Sequence, residues 1–158
     1  MKRLFLSTVF ITLISFASVL AHCEIPCGIY NDQLRSDLIA EHITTIEKSI
    51  NEIEKLSKQT PVNYNQLVRW ITNKEDHANQ LQEIVTQYFM TQRVALADPN
   101  DAEKVKKYQE QLGLLHQLLV YAMKSKQSLE LENITKLREV LDLFNKSYFG
   151  ENYKKHTH

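Results

Sequence analysis

Turn-forming residues are scarce in this 158-residue chain. It holds three glycines and three prolines, and beyond Tyr30 only Gly113, Gly150, Pro61 and Pro99 remain. A stretch so poor in breakers reads as helical. An excess of one charge is also missing: 19 basic residues face 19 acidic ones. No polyanionic partner is implied, and the short basic runs, Lys104 to Lys107 and Lys154-Lys155, read as a solvated face and a tail rather than a nucleic-acid surface. There is no glycine-rich phosphate loop, no nucleophile elbow, no internal repeat and no low-complexity segment. Paired-metal helix bundles use Glu-x-x-His motifs, but Ile39, Lys74 and Gly113 stand three residues before His42, His77 and His116, so the di-metal carboxylate class is excluded. These three histidines read as polar contacts in or near a core.

Cysteine is nearly absent as well, and the two present, Cys23 and Cys27, lie close together after a distinctive first segment. Met1 to Ala21 has a basic start at Lys2 and Arg3, an apolar run from Leu4 to Leu20 broken only by Ser and Thr, and Val19-Leu20-Ala21 at its end. That is the layout of a secretory signal cut after Ala21, and it is short for a spanning helix. A lipidated cysteine should follow Gly, Ala or Ser, whereas Cys23 follows His22. The expected product is exported to a periplasm, a lumen or the medium, without stable membrane association. Removing residues 1–21 takes away two basic residues and no acid, leaving an excess of two acids and enough chain for one domain with its own core.

From Asp32, Ile39, Ile43, Ile46, Ile50, Ile53 and Leu56 recur at three- and four-residue steps, which draws one apolar stripe on a helix ending by Thr60-Pro61. A second pattern runs from Asn65 through Leu67, Trp70, Ile71, Ala78, Leu81, Val85, Tyr88 and Phe89 and stops before Asp98-Pro99-Asn100. A third starts at Asp101 and carries Val105, Tyr108, Leu112, Leu115, Leu119 and Ala122; a fourth carries Leu131, Ile134, Leu137, Leu141, Phe144 and Tyr148 and ends before Gly150. Only the polar stretch Lys124 to Ser128 separates these two. Four amphipathic helices with short connections predict an all-α, antiparallel four-helix bundle over residues 31–150, preceded by a hook at 22–30 and followed by a loose tail at 151–158.

The hook, His22-Cys23-Glu24-Ile25-Pro26-Cys27-Gly28-Ile29-Tyr30, concentrates the chemistry. A cut before His22 would offer a metal an α-amine, an imidazole, backbone amides and two thiolates. The amine, the amide nitrogen of Cys23 and its thiolate can take consecutive positions of one plane. Cys27 closes the fourth only if the chain turns sharply, which Pro26 and Gly28 favour. Such donors suit nickel or copper rather than zinc, which would need a further ligand pair. On spacing alone a disulfide is the first reading, a metal site the second and free thiols the third.

The complete string His-Cys-x-x-Pro-Cys-Gly-x-Tyr resembles the nickel-binding hook of the nickel-containing superoxide dismutases. Asn65 to Trp70, Tyr88-Phe89, Gln92-Arg93 and Leu115 to Leu118 are similar to further segments of that family. The resemblance implies one nickel per subunit, held by the amine and imidazole of His22, the amide nitrogen and thiolate of Cys23 and the thiolate of Cys27. It also implies superoxide as substrate and a homohexamer whose neighbouring bundles cover each hook. The His22 imidazole would be an axial ligand of the oxidised ion, and Tyr30 would position small anions and water near the metal's open face. Glu24 falls where the motif varies. A carboxylate on the first helix and a basic residue of a neighbouring subunit orient the axial imidazole in the family; here Asp37 or Glu41 and His77 or Arg69 are the candidates. Trp70, Tyr88 and Phe89 could serve either contacts between subunits or the core of one bundle. The rival reading is an exported helical binding or metal-carrier protein with Cys23 and Cys27 in a disulfide or a transfer site.

Overall fold

The computed structural model describes residues 28–150 and residue 153. The expected signal segment 1–21, the hook positions 22–27 and all of the tail except Tyr153 lie outside the described residues. Four helices follow Tyr30: α1 (Asp32–Ser57), α2 (Tyr64–Glu83), α3 (Ala102–Gln127) and α4 (Leu131–Phe149). Among the described residues there is no strand. No described helix is long and apolar enough to cross a membrane.

The helix starts follow from capping chemistry. Asn31, Asn63 and Asp101 each turn a side-chain oxygen onto the backbone N–H three residues later, at 3.0, 3.2 and 3.1 Å, which satisfies a donor that the first turn leaves without a helical partner. Gly150 ends α4 at a φ of 68°, a left-handed backbone that a side chain would strain. The polar stretch expected to separate α3 from α4 is mostly helical, since α3 continues to Gln127 and the turn occupies 128–130.

Side-chain pairs establish the direction of each helix. Between α1 and α4, Tyr148 meets Asp32 and Arg138 meets Glu47, so numbers rise on one as they fall on the other. The same reversal relates α1 to α2 through His42–His77 and Ser49–Asn73, α2 to α3 through Lys74–Ser125 and Gln82–Leu119, and α3 to α4 through Gln111–Ser147 and Ser128–Asn133. Each helix packs on its sequence neighbours, and α1 closes the ring on α4. This is the expected antiparallel four-helix bundle.

The isoleucine stripe on α1 is the core's spine. Ile39, Ile43, Ile46 and Ile50 are fully buried, against Ala78 and Leu81 from α2, Phe89 from the segment after it, Leu115 and Leu118 from α3, and Ile134, Leu137 and Phe144 from α4. Each such Ile, Leu or Phe side chain contributes about 1.5–3 kcal/mol by leaving water. On α3 the buried face is centred on Leu114, Leu115 and Leu118, with Leu112 and Leu119 only partly covered.

Two features depart from the expected pattern. The first ten residues of α2 bury nothing fully: Tyr64, Val68 and Ile71 are exposed, and the first buried residue is Lys74. The reason lies in helix lengths. Lys74 stands level with the end of α3, where its ammonium donates to the carbonyls of Ser125 and Lys126 at 2.8 and 2.5 Å, so the residues before it run past α3. A cation on terminal carbonyls is favoured by the helix dipole. The second feature follows α2 directly: Ile84–Arg93 is a π-helix. Its i→i+5 backbone bond is visible in Val94 N–H to Phe89 O at 2.8 Å, and the side chains of Thr91 and Gln92 each donate to the carbonyl five residues back at 2.8 Å.

Candidate metal centre and its surroundings

Of the residues singled out in the sequence, His22, Cys23 and Cys27 lie outside the described residues. Gly28, Ile29 and Tyr30 are described. Gly28 has a φ of 71°, the left-handed backbone that suits glycine in a tight turn. Tyr30 is 45% exposed.

On the bundle side, the first turn of α1 carries an unusual concentration of polar contacts. Asp32 Oδ1 accepts from Tyr88 Oη at 2.5 Å and from Arg93 Nε at 2.8 Å; Oδ2 accepts from Arg93 Nη2 and from Tyr148 Oη, both at 2.8 Å. The carboxylate and guanidinium therefore form a two-pronged ion pair, with side chains 18% and 28% exposed. Burial pushes the Asp32 carboxyl up, but hydrogen bonds from Arg93, Tyr88 and Tyr148 and the guanidinium charge outweigh it, and the group is held below its ordinary value of 3.8. Burial and the Asp32 carboxylate push both phenols, Tyr88 and Tyr148, up to about 12. Both remain neutral donors well into alkaline solution.

The π-helix explains how one carboxylate collects Tyr88 and Arg93 together. The wider turn of a π-helix brings residues five apart close to one face, whereas in an α-helix partners on one face lie three or four apart. Periodicity alone could not reveal this arrangement, because Val85, Tyr88 and Phe89 fit an ordinary helical stripe equally well. The pairing of Gln92-Arg93 with the family segment was the available signal, but nothing in it pointed to Asp32 or Tyr148.

The histidines divide. His42 on α1 and His77 on α2 bring their Nδ1 atoms to 2.9 Å, so one must carry the shared proton and the other must accept it. His42 is 8% exposed; burial, then the His77 charge, lowers its pKa against an opposing pull from Glu41. These two match the expected polar contact near a core. His116 does not: it is exposed, one step off the buried face at Leu115. Of the carboxylates considered for orienting the His22 imidazole, Asp37 accepts from Gln33 Nε2 at 2.9 Å and Glu41 is exposed. Of the basic candidates, His77 directs Nδ1 at His42, and Arg69 is exposed.

Of the two readings open for Tyr88 and Phe89, they take the second, the core of one bundle. They are 3% and 0% exposed within one bundle, and Phe89 meets Tyr88, Phe144 and Tyr148 edge-on at 5.0–5.6 Å between ring centres. Trp70 is half-buried, with the Lys48 ammonium 5.8 Å from its ring centre.

Among the described residues, no group of three or more His, Cys, Asp or Glu side chains is gathered to hold a metal. The donors expected from the sequence, His22, Cys23 and Cys27, have a chemistry that fits nickel: thiolates with nitrogen donors suit a late first-row ion in a tetragonal site.

No curated protein and no solved structure matches the chain. A family model described as nickel-containing superoxide dismutase matches residues 17–152. Since that match runs unbroken from ahead of the hook to the end of the last helix, the chain belongs to the nickel-containing superoxide dismutase family, an oxidoreductase with a nickel cofactor and superoxide as its substrate.

Proposed function

We propose that this chain disproportionates superoxide at a mononuclear nickel site built from its processed N-terminus, and that the cut after Ala21 creates the site. The observation that carries the reading is the string from His22 to Tyr30, which holds both cysteines of the chain and lies inside the matched family region. In it the amine and imidazole of His22, the amide nitrogen and thiolate of Cys23 and the thiolate of Cys27 hold one nickel. Nickel bound by anionic thiolate and amidate donors supplies a +2/+3 couple within reach of superoxide, so that two superoxide ions and two protons yield dioxygen and hydrogen peroxide.

The residues of the chain divide the remaining work. The free α-amine, which loses its proton near pH 8 in an unconstrained chain, is available to a metal close to neutrality. Tyr30, half exposed, positions the small anion and water. The bundle is a scaffold. A substrate this small needs no deep pocket, and diffusion to an accessible face should govern turnover.

We further propose export through the 1–21 segment and assembly into a homohexamer. Tyr64, Val68 and Ile71, at 71%, 59% and 40% exposure, offer an apolar face for such assembly on the half of α2 that overruns α3. The decisive measurement is elemental analysis with a thiol count on the purified mature protein. One nickel per chain with no disulfide is expected; a Cys23–Cys27 disulfide in the fully active protein would refute the site.

A further inference from the structure

The Asp32 cluster is more than the start of a helix requires. α1 is already capped, since Asn31 accepts from the Leu34 N–H. Yet the next residue receives four hydrogen bonds from three side chains, drawn from the π-helix and from α4. A helix terminus ordinarily frays. Here the first helical residue is tied to two other elements of the bundle, and a single residue, Asn31, separates it from Tyr30.

We infer that Asp32 is a positioning residue for the nickel hook: the clasp of Tyr88, Arg93 and Tyr148 fixes the point from which the chain runs back toward Tyr30 and Cys27. The inference rests on the hook being the nickel site. A nine-residue hook has no core of its own, so its conformational freedom is limited by its own turns and by the rigidity of its attachment. Loosening that attachment enlarges the set of conformations that must be narrowed before all donors meet one ion, and the loss appears as weaker metal binding. The clasp also holds steady with pH: the carboxylate stays ionised through neutrality, the guanidinium is always charged, and both phenols keep their protons to about 12.

The test compares the mature wild-type chain with Asp32→Asn, Tyr148→Phe and Cys27→Ser. Three readouts are needed: nickel(II) affinity by chelator competition, the electron paramagnetic resonance line shape of the oxidised nickel form, and the melting temperature of the nickel-free protein. Asp32→Asn should keep the helical circular dichroism, bind nickel about tenfold or more weakly and show an altered or broadened line shape. Tyr148→Phe, which removes one donor of the clasp, should lie between it and wild type. Wild-type affinity and line shape in Asp32→Asn, with only the melting temperature lowered, would make the clasp a purely structural device and overturn the inference. Should Asp32→Asn fail to fold, Tyr148→Phe decides by the same two nickel readouts. Cys27→Ser separates the two levels of the argument. If it retains wild-type nickel affinity, the hook assignment fails and this inference with it; if it loses nickel while Asp32→Asn and Tyr148→Phe do not, the positioning role alone is wrong.

Discussion

The two parts of this chain are built on opposite terms. Residues 22–30 hold every thiol and are too few to form a core of their own, while residues 31–150 hold a four-helix core. A bundle of this kind is stabilised by apolar area distributed over many positions, so no single surface residue matters much. A metal hook depends on each donor in turn. Fold and chemistry should therefore fail independently, and the predictions below try to break that separation.

The largest effect is expected from Cys23→Ser and Cys27→Ser. Each should abolish nickel binding and dismutation while circular dichroism and thermal unfolding of the nickel-free protein stay close to wild type. Nearly as large is the effect of blocking the amine. Residues 22–158 behind a retained Met should fold yet bind nickel weakly and turn over little, and trimming the extension should restore both. Full activity in a sample shown by mass spectrometry to keep the Met would remove the amine from the ligand set.

The converse substitution strikes the core. Leu118 is fully buried, so Leu118→Ala should cost about 2–5 kcal/mol of stability in denaturant unfolding, with nickel per folded chain unchanged. A smaller and graded loss is expected at the edge of the metal: His22→Gln should keep some nickel but lose most turnover, and Tyr30→Phe should be milder still, because a hydroxyl outside the ligand set tunes access rather than binding. Pulse-radiolysis rates in the reverse order would contradict the roles given to the two residues.

The mildest effect belongs to pH and the bundle alone. His42 titrates below its ordinary 6.5 in the folded protein, so as pH falls through that value the unfolded chain takes up a proton first and stability declines until the folded pKa is passed. His42→Gln should flatten that part of the stability curve, measured as melting temperature against pH, and leave nickel affinity at neutral pH as it was.

The helices could be read from the sequence because breaks at Pro61, Pro99 and Gly150 set their limits and recurring Ile and Leu mark their faces; the caps at Asn31 and Asn63 came only with the structure. The hook could be read because its donors are contiguous. What could not be read depends on distance or on register. Asp32 and Tyr148 are 116 positions apart, and no local pattern joins them. Lys74 looks like a solvated helix residue until the end of α3 arrives beside it. The exposed first half of α2 carries the same apolar spacing as the buried second half, and only the relative lengths of the helices tell them apart. His116 lies one step from a buried leucine, a displacement too small for a stripe drawn by eye.

The π-helical step has a consequence for how this chain can vary in length. Tyr88 and Arg93 reach the same carboxylate across the wider turn of the π-helix, and deleting any one of residues 90–92 would let the segment relax into ordinary α geometry. Helical content would scarcely change, and every side chain of the clasp would survive in name. Four apart on an α-helix, Arg93 would still lie on Tyr88's side of the rod and within reach of Asp32, whereas one residue added there would carry it away. The clasp can therefore absorb the loss of one residue from this stretch but not the gain of one.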